Sequence, residues 1–502
     1  MKILNSDQIK LLDQETIAIQ NISSWQLMER ASEAVTDAIL HKAKGLRLSF
    51  SIFCGKGNNG GDGLAIARIL RRKNFNITVF LLQSDTYSDG NVENQKRLKN
   101  TGLNVILFNE NSLLEIPQGS IIIDAIFGNG LHSPLNSEWN LIFRQIESSL
   151  PQHIFSIDLP SGFIADHPME ENYPCLRVEH VFTFEIPKLG FLFPSSYQFL
   201  KDFSIVKIDL DETTRNSFTS SYYFTEKNKI QALLKPVSKF SHKGSFGHIL
   251  VIGGSLGKIG APILSAKAAL KTGSGLVTVY VPKCGYTIVQ NNIIEAMCLT
   301  DSEEEYLATI PEISGYQAVA IGMGIGQHNK TGTAVLKCLI NNPNTAFVID
   351  ADALNLLSKY ENPFIHIPKD SILTPHPKEL QRLIGDWKDD FEKIEKVRAI
   401  ALKYEINILI KGAYTASILS DGNCYFNSTG NWGMATAGSG DTLSGILVSL
   451  LGQGYSSHEA CLLGTYLHGL AGDLATEKIH PHSLVASDIS NFISAAYFDL
   501  TK

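Results

Sequence analysis

Two aspartates occupy positions in the sequence where proton or phosphate chemistry is favoured. Asp441 follows the turn Gly438, Ser439 and Gly440 and precedes the apolar run SGILVSLLGQG, which predicts a helix. The backbone amides at a helix start attract an anion, so this turn predicts an anion hole beside a carboxylate. Asp158 follows the strand-like run HIFSI, where a carboxylate can transfer a proton. A structural helix or turn cap is the alternative interpretation of either acid.

A glycine-rich segment, Gly55–Leu64, follows the strand-like run SIFC and leads into the helical pattern AIARILRRK. Glycines let the backbone approach a ligand closely, and exposed amides before a helix can take a phosphate. The segment therefore predicts a phosphate cradle, with a ligand-free turn as the alternative. Asn59 and Asp62 favour the cradle, because a turn needs neither an amide nor a carboxylate at those places.

Oxygen-bearing side chains follow three strand-like runs of the N-terminal half. Asn59 lies in the glycine-rich segment, Asp124 ends the run IIID, and Ser161 comes shortly after Asp158. Doubly wound sheets bring such strand ends together in space. These hard oxygen ligands carry too little charge for a tight divalent site, so they predict a monovalent cation site.

The C-terminal half has a comparable series of strand ends. Lys411 and Gly412 end the strand-like run NILI, with Thr415 as a further donor, and are placed to meet nucleotide phosphates. His376 lies between two prolines and either contacts a ligand or is structural. Other predicted strands end in the segments GGSLGKIGAP, GMGIG, IDADAL and TPHPKE, of which the first lacks the G-x-G-x-x-G spacing of a dinucleotide fingerprint.

The elements that must position these residues are strands and helices in alternation. Helical patterns at residues 6–20 and 24–42 precede β-branched runs separated by further helical patterns. Alternation of this kind predicts a mostly parallel sheet with helices on both faces. The alternation of strand-like and helical patterns is interrupted in the Ser/Thr-rich segment 211–225 and then resumes. The sequence therefore predicts two α/β domains, residues 1–212 and residues 225–502.

Composition is that of an ordinary globular protein and narrows the range of partners. The 502 residues are 44% hydrophobic and 19% charged, and a net charge of −7 without a long Lys/Arg run argues against nucleic acid. No apolar stretch approaches about 18 residues, so we expect no membrane segment. The seven cysteines stand singly, which predicts core positions in a reducing, cytoplasmic compartment. We also expect a homo-oligomer, with apolar helices such as CLLGTYLHGLAGDLA packing inside a domain or between subunits.

The motifs NNGGDG, DAIFGNGL, DLPSG and FEIPKLG resemble, in this order, the N-terminal epimerase domain of the NAD(P)H-hydrate repair enzymes. The resemblance implies a Rossmann-like three-layer sandwich that binds potassium near Asn59, Asp124 and Ser161, with Asp158 as the catalytic candidate. Lys188 in FEIPKLG is a phosphate contact, a proton-transfer partner or a solvated turn lysine, and we leave it out of the catalytic set. The implied contacts of the hydrated dinucleotide are Asn59, Gly60, Gly61, Asp62, Gly63, Gly128, Asn129, Gly130, Leu131 and Asp158.

The motifs GGS…GAP, GMGIG, DADAL, TPHPKE, KGAYT and NWGMATAGSGD resemble the C-terminal dehydratase domain of the same enzymes, a ribokinase-like three-layer sandwich. The resemblance implies that the hydrated dinucleotide lies against Ala261, Gly324, His376 and the catalytic Asp441. ADP or ATP would be the co-substrate, with Mg²⁺ accompanying the nucleotide. The implied nucleotide contacts are Lys411, Gly412, Ala413, Thr415, Asn431, Gly438, Ser439 and Gly440.

Together the two halves predict an enzyme of metabolite repair. The epimerase would interconvert the R and S forms of hydrated NADH and NADPH, and the dehydratase would return the S form to NAD(P)H. Fusion in this order resembles the bacterial type, which implies ADP, with ATP as the alternative. Two other interpretations are a ribokinase-like small-molecule kinase fused to a nucleotide-binding module, and an N-terminal half that only binds nucleotides. The N-terminal motif set has no role in such a kinase.

Overall fold

The chain folds into two compact units, which the computed structural model describes over residues 1–46, 48–170 and 172–502. The N-terminal unit comprises Lys2–Ser220, and the C-terminal unit comprises Ser221–Lys502 together with Met1. The segment between the two predicted domains contains a short helix and a short strand, and the division falls between these two elements. Both units are α/β, which confirms the predicted fold class.

Parallel strands form the sheet of the N-terminal unit. The strands are β1 (Ser49–Cys54), β2 (Asn76–Leu82), β3 (Val105–Phe108), β4 (Ile121–Ala125), β5 (His153–Ile157), β6 (His180–Phe184) and β7 (Phe203–Val206). They pair in the order β3-β2-β1-β4-β5-β6-β7. The strand order reverses between β1 and β4, which is where ligands bind in open α/β sheets. Asp124 is the penultimate residue of β4 and Asp158 follows β5, so both acids lie near this reversal.

Helices accompany this sheet, and both faces of its central strands are buried. The helices are α1 (Ser6–Ile19), α2 (Ser24–Lys42), α3 (Asn58–Arg72), α4 (Asp89–Lys99), α5 (Trp139–Ser148) and α6 (Glu212–Ser217), with short 3-10 helices at Leu189–Leu192 and Pro194–Gln198. The predicted helices at residues 6–20 and 24–42 are confirmed as α1 and α2.

Helix α3 begins at Asn58, so the NNGGDG motif forms its first turns instead of a loop before it. Close packing explains the glycines: a Cβ at Gly60 would lie 1.9 Å from the Gly55 carbonyl oxygen, and one at Gly63 would lie 2.8 Å from the Cys54 sulfur. The helix therefore starts directly at the carboxyl end of β1. Its free amides and positive dipole end lie at the point where the strand order reverses.

The C-terminal unit has a longer, mixed sheet. Its strands are β8 (Tyr222–Phe224), β9 (His248–Ile252), β10 (Leu276–Val281), β11 (Met297–Thr300), β12 (Ala318–Ile321), β13 (Phe347–Ile349), β14 (Ile372–Leu373), β15 (Asn407–Ile410), β16 (Ala416–Ile418) and β17 (Cys424–Phe426). They pair in the order β11-β10-β9-β12-β13-β14-β15-β16-β17-β8. Pairing is parallel from β11 to β15, antiparallel from β15 to β17, and parallel again between β17 and β8. The predicted strand NILI is confirmed as β15, and the KGAYT motif that follows it leads into the antiparallel strand β16.

The helices of this unit enclose a continuous apolar core. They are α7 (Lys227–Leu233), α8 (Gly260–Thr272), α9 (Tyr286–Asn292), α10 (Asn329–Asn341), α11 (Asp352–Leu357), α12 (Pro377–Ile384), α13 (Asp390–Tyr404), α14 (Ser439–Gly452), α15 (Ser457–Thr476) and α16 (Ala486–Leu500), with short 3-10 helices at Lys243–Phe246, Lys283–Gly285, Trp432–Met434 and Pro481–Ser483. The apolar residues of α15, including Leu463, Leu467 and Ala471, are buried inside the unit. This helix therefore packs within its own domain, which was one of the two predicted alternatives.

The cysteines are free thiols, five of them buried and Cys284 and Cys298 half-buried. Within the described residues, no cluster of three or more His, Cys, Asp or Glu side chains is arranged to hold a metal ion. In the same parts of the chain, no helix has both the length and the apolar character needed to cross a membrane.

Contact between α14 and α8 depends on Gly445. A Cβ at this position would lie 2.0 Å from the Ser265 carbonyl oxygen, which is a backbone atom of α8. We expect Gly445→Ala to force the helices apart and to lower the free energy of unfolding of this unit by about 1–3 kcal/mol. Hydrogen exchange of amides in β9 and β12 of the full chain would measure the loss. Gly315→Ala is the matched control, because nothing lies near a Cβ there, and equal exchange in the two variants would contradict the packing argument.

Candidate active sites

Asp158 lies directly after β5, and its carboxylate is bound by a lysine that the sequence analysis leaves out of the site. Its Oδ1 accepts hydrogen bonds from Lys188 Nζ at 2.8 Å and from Thr183 Oγ1 at 3.2 Å. The Lys188 side chain is only 1% exposed. The interpretation of Lys188 as a solvated turn lysine is therefore wrong. The sequence could have indicated this contact, because Lys188 lies four residues after β6, and β6 is the strand next to β5 in the sheet.

The backbone of Asp158 also has an unusual conformation. Its φ is +63°, in the left-handed region that few residues other than glycine adopt. Its amide donates to the Phe182 carbonyl oxygen at 2.8 Å, as the end of a β5–β6 pairing. The bent backbone turns the chain out of the sheet immediately after the strand, while the bond to Lys188 fixes the carboxylate.

Asp124 and Ser161 are brought together at the end of β4, as the sequence predicts. Asp124 is fully buried, and its carboxylate accepts hydrogen bonds from the hydroxyls of Ser161 and Ser156 and from the Ser161 amide, the last at 2.8 Å. Burial raises the pKa of Asp124, and the bonds from Ser156 and Ser161 oppose that rise. The Ser161 hydroxyl oxygen also accepts a bond from the Phe127 amide at 2.9 Å. The loops after β4 and β5 are therefore tied to each other through this acid.

Asn59 completes the predicted oxygen set. It lies in the first turn of α3 and packs against Gly128, where a Cβ would lie 3.0 Å from the Asn59 Cβ. The side-chain Nδ2 of Asn59 is buried without a hydrogen-bond partner. Because the oxygen and nitrogen of an amide exchange places on a 180° flip, this buried position can present an oxygen to a cation. An unsatisfied buried polar atom beside the Asp124 loop fits a ligand site.

Helix α1 closes over this edge of the sheet and adds a residue that the sequence analysis did not identify. Its Ser6 hydroxyl donates to Asn129 Oδ1 at 2.8 Å, and Asn129 Nδ2 donates to the Ser6 carbonyl oxygen at 3.3 Å. The half-buried Asp13, two turns further along α1, interacts electrostatically with Asp158 and Lys188. Burial and the negative charge of Asp158 raise the pKa of Asp13 to about 7. The amphipathic pattern of α1 gave no sign of this, because an acid on a helix is ordinarily a solvated one.

Asp62, predicted as a substrate contact, is buried in the same cluster. Its carboxylate accepts a hydrogen bond from the Ser32 hydroxyl of α2 at 3.2 Å. Burial raises the pKa of Asp62 well above its ordinary value, and the charges of Asp158 and Asp13 add to the rise. Three carboxyl groups and one lysine therefore share this part of the N-terminal unit.

In the C-terminal unit, the GSGD turn has the predicted form. Gly438 precedes α14 with φ +88°, and the helix then begins at Ser439 with Asp441 in its first turn. A Cβ at Gly438 would in addition lie 2.4 Å from Leu264 Cδ1. Gly438 is thus required both by its conformation and by its neighbour. The free amides at this helix start are suited to binding an anion, which fits the prediction of an anion hole.

Lys411 lies beside this turn but is held by an acid to which the sequence analysis gave no role. Its Nζ donates to Asp350 Oδ1 at 2.7 Å, and Asp350 Oδ2 accepts from the Ser444 hydroxyl of α14 at 2.7 Å. A Cβ at Gly440 would come within 3.3 Å of the same ammonium. Although burial opposes ionisation, the Lys411 charge holds the pKa of Asp350 below its ordinary value. Asp350 was visible in the IDADAL motif, but its partner was not.

The pKa of Asp441 is shifted in the opposite direction from that of Asp350. Burial raises its pKa to about 7, the negative charges of Asp350, Asp352 and Glu379 contribute to the rise, and Lys411 opposes it. The carboxyl of Asp441 can therefore gain or lose a proton near neutral pH. An acid with this property beside an anion hole is suited to proton transfer during attack on, or loss of, a hydroxyl group.

Two of the residues implied as substrate contacts, Ala261 and Gly324, lie next to each other. A Cβ at Gly324 would come within 3.1 Å of Ala261 Cβ and 2.6 Å of the Lys258 carbonyl oxygen. Asp352, the second acid of IDADAL, ties the same loops by accepting a bond from the Gly326 amide at 3.0 Å and pairing with Lys258 at 3.3 Å. The loops after β9 and β12 are thus joined by a carboxylate at the start of α11.

His376 has a structural bonding role in this structure. It is the N-cap of α12, where its Nδ1 accepts a bond from the Lys378 amide at 3.1 Å and its Nε2 lies 3.3 Å from Glu379 Oε1. The side chain is still 45% exposed, which leaves a ring face available. Since Glu379 acts electrostatically on Asp441, the TPHPKE turn belongs to the same site.

The implied nucleotide contacts differ in how much of each side chain is free. Asn431 uses its Nδ2 to bond Asp473 and its Oδ1 to bond the Gly433 amide, so its amide group is occupied within the turn. Thr415 donates to the Gly412 carbonyl oxygen at 3.2 Å inside the KGAYT turn.

His468 of α15, which the sequence analysis did not identify, lies with its Nε2 3.4 Å from the Ser439 hydroxyl. Burial lowers the pKa of His468 to about 4, so its imidazole is neutral beside the anion hole.

Comparison with known proteins gives matches to both units. Residues 24–190 match the family described as YjeF-related protein N-terminus, and residues 249–495 match the family described as NAD(P)H-hydrate dehydratase. The chain is 32% identical over 518 residues to a bifunctional NAD(P)H-hydrate repair enzyme of Moorella thermoacetica, covering 98% of this chain and 96% of that one. It is 30% identical over 523 residues to the enzyme of the same description from Dictyoglomus turgidum, covering 100% and 99%.

A solved structure supports the fold. The chain is similar to a ribokinase-like superfamily protein from Enterococcus faecalis, with a TM-score of 0.50 at 24% identity, over 56% of this chain and 98% of that one. The predicted ribokinase-like fold is therefore confirmed.

The ion pair between Lys188 and Asp158 is buried enough for its loss to be measurable. Removing the cation in Lys188→Met leaves the Asp158 carboxylate in a low-dielectric site without its partner, and we expect a loss of about 3 kcal/mol in the free energy of unfolding. Hydrogen exchange of β5 and β6 amides in the full chain would measure it. The control is Lys207→Met, because Lys207 is 53% exposed in its pair with Glu185 and should cost less than about 1 kcal/mol. Equal losses in the two variants would contradict a special role for the buried pair.

Proposed function

Since the chain belongs to the family of bifunctional NAD(P)H-hydrate repair enzymes, we propose that its two units act in sequence on hydrated nicotinamide dinucleotides. The N-terminal unit interconverts the R and S forms of hydrated NADH and NADPH. The C-terminal unit dehydrates the S form with ADP or ATP. The observation that carries the proposal is that each unit has, at the carboxyl end of its parallel strands, a buried carboxylate bound by lysine with a second acid of pKa about 7 beside it.

In the epimerase site, Asp158 is the proton-accepting group. Hydration of a dihydronicotinamide places the hydroxyl on the carbon next to the ring nitrogen. Inverting that carbon requires one of its bonds to oxygen or nitrogen to open and to re-form from the other face. A carboxylate that takes the hydroxyl proton assists the opening, and Lys188 keeps the Asp158 carboxylate oriented for it. The amides of the α3 start and the turn from Gly128 to Leu131 would hold the dinucleotide.

Potassium would bind in the same crevice at Asn59, Asp124 and Ser161. The fit rests on the donor set: carboxylate and hydroxyl oxygens in contact, and a buried side-chain atom of Asn59 without a partner. A monovalent ion suits a site with a single carboxylate better than a divalent one. When bound, the ion would offset part of the negative charge of the dinucleotide phosphates.

In the dehydratase site, Asp441 is the proton-transfer group. The lone pair of the ring nitrogen drives the loss of water, but hydroxide is a poor leaving group and must first be protonated or phosphorylated. With ADP, the leaving hydroxyl would be protonated through a relay of Asp441 and the bound phosphates; with ATP, Asp441 would accept the hydroxyl proton while the oxygen is phosphorylated, and the phosphate would then leave. In both routes the adjacent ring carbon gives up a proton to solvent as the ring double bond forms. The anion hole at Gly438, Ser439 and Gly440 would hold the nucleotide phosphates in either case.

The nucleotide would lie along the KGAYT and GSGD turns. Its contacts would be Lys411, Gly412, Ala413 and Thr415 on one side and the backbone from Asn431 to Gly440 on the other. Lys411 would then be shared between Asp350 and a phosphate, since its Nζ already lies beside Gly440. Mg²⁺ would accompany the phosphates. A kinase acting on a different hydroxyl compound would use the same groups, but relatives that match the whole chain are repair enzymes by their descriptions, which favours the hydrated dinucleotide.

Substitution of each catalytic acid should separate the two activities. We expect Asp441→Asn to lower kcat for S-form dehydration by about 10²–10⁴-fold and to leave epimerisation intact, because general acid–base catalysis contributes on that scale. Asp158→Asn should do the reverse. Chromatographic assay of each hydrate epimer, with ADP, with ATP and without nucleotide, measures both steps after subtraction of spontaneous epimerisation.

The matched control is Asp421→Asn in the exposed turn between β16 and β17, which should alter neither step. If the wild type consumes no S-form hydrate with either nucleotide, the dehydratase assignment fails. If S form is consumed while R form persists, the epimerase assignment fails and the C-terminal unit alone keeps its proposed activity.

The pH dependence of dehydration should report the protonation of Asp441. With ADP, the proton-donating form is lost as the pH rises through the pKa, so kcat should fall above about pH 7. Bound phosphates raise the pKa of a neighbouring carboxyl further, which moves this fall in kcat, the alkaline limb of the pH profile, to higher pH. A kcat that rises through the same range would mean that the ionised form is active and would exclude proton donation. Measuring kcat from pH 5 to pH 9 with saturating ADP distinguishes these results.

A further inference from the structure

Helix α1 is fixed to the epimerase site, although no motif of the sequence points to it. Ser6 at its start bonds Asn129, a residue of the turn implied in dinucleotide binding, and also bonds Asp166 through its amide at 2.8 Å. Leu12 is fully buried, and the Thr16 hydroxyl oxygen accepts a bond from the Asp211 amide at 3.0 Å. The helix is therefore held at its start and along its length against the N-terminal unit.

This attachment determines where Asp13 faces. Ser6 and Asp13 are seven residues apart, so they lie on the same side of the helix, about 10 Å from each other along its axis. Since Ser6 meets the turn after β4, Asp13 faces the same edge of the sheet. Its electrostatic interactions are with Asp158 after β5, with Lys188 after β6 and with Asp62 of α3. Asp13 is half-buried, so a substrate in the crevice can reach it.

We propose that Asp13 is the proton-donating acid of the epimerase site, acting opposite Asp158 as the base. The inference rests on the proposed epimerase function and adds to it the second group that the reaction needs. Asp158 accepts hydrogen bonds from Lys188 and a threonine hydroxyl, and these bonds hold its carboxylate in place as the proton acceptor of the proposed reaction. The cluster contains three carboxyls and one lysine, so ionising all three would leave two uncompensated negative charges in a buried site. At least one proton is therefore retained, and Asp13 is the half-buried member that can deliver it.

The proton transfers balance without another reactant. Asp158 takes the proton of the substrate hydroxyl as the bond between that carbon and the ring nitrogen breaks. The bonding electron pair passes to the nitrogen, which takes the proton of Asp13, and an open-chain aldehyde results. After rotation exposes the other face of the aldehyde, the nitrogen adds back, returning its proton to Asp13 while Asp158 protonates the new hydroxyl. Both acids end in their starting states.

Burial raises the pKa of Asp13 to about 7, with Asp158 adding to the rise and Lys188 opposing it. The protonated form of a donor is lost above its pKa, so epimerisation should slow as the pH rises beyond about 7. A carboxyl with a raised pKa keeps its proton in the folded state to a higher pH than in the unfolded chain, so stability falls as the pH rises from 3.8 to about 7 and stays lower above it. Replacing Asp13 with a neutral amide should therefore remove activity while raising thermal stability at pH 8, which loss of a structural contact would not do.

The test compares Asp13→Asn, Asp13→Glu and the control Asp7→Asn in the full chain, since Asp7 is an exposed acid in the first turn of the same helix. The rate of R-to-S conversion is measured from pH 5 to pH 9, and S-form dehydration reports on the integrity of each preparation. We expect Asp13→Asn to lose about 10²-fold or more in kcat, Asp13→Glu to retain activity with a displaced alkaline limb, and Asp7→Asn to match the wild type.

Two results would overturn the assignment. One is an Asp13→Asn variant with the wild-type rate and the wild-type alkaline limb. The other is a pair of Asp13 variants that both lose activity without any displacement of the limb in Asp13→Glu, which would make Asp13 a structural residue. A wild-type protein that epimerises neither hydrate would be a different failure, because it would remove the proposed function of the N-terminal unit together with this role.

Discussion

Both units depend on the cost of ionising several carboxyl groups around a single lysine in a buried site. In the N-terminal unit Lys188 binds Asp158, and in the C-terminal unit Lys411 binds Asp350. Each lysine pairs directly with one acid and acts more weakly on the next, whose pKa burial raises to about 7 in Asp13 and in Asp441. Because desolvation disfavours any further negative charge, the position of each lysine decides which carboxylate has a cation within bonding distance. The strand ends, helix starts and glycine turns place these groups within range of one another.

Much of this arrangement could be predicted from the sequence, because strand ends and glycine turns are local features. The runs before Asp124, Asp158 and Lys411 predicted strands, and parallel pairing brings the strand ends of each sheet to one edge of that sheet. Motif order supplied the hydrated dinucleotide and the nucleotide, which no local pattern would have given. The start of α3 was misplaced because a run of glycines ordinarily indicates a loop, whereas in this unit it lets α3 pack against Gly55 and Cys54.

The partners of the catalytic acids could not be predicted, because they depend on contacts between distant parts of the chain. Lys188 reaches Asp158 across thirty residues, and Lys411 reaches Asp350 across sixty-one. Asp13 stands in an ordinary amphipathic helix, and only the attachment of that helix at Asn129 gives the acid a place in the site. His468 was hidden in an apolar helix that sequence patterns assign to the core. Spacing identifies residues at strand ends, but it does not identify which side chain from another element meets them.

The different placement of the lysine-bound acid explains how one electrostatic principle can serve two reactions. In the N-terminal unit the lysine-bound acid, Asp158, itself follows a strand near the reversal point, and the proposed mechanism uses it as the base with Asp13 as the acid. In the C-terminal unit the lysine-bound acid, Asp350, is fully buried beneath α14, and the titrating Asp441 lies at the anion hole. Inversion needs a base and an acid that exchange roles symmetrically. Loss of water needs a proton delivered to the leaving hydroxyl and another released from the adjacent ring carbon, and in the proposed mechanism Asp441, at the start of α14, serves the first of these transfers.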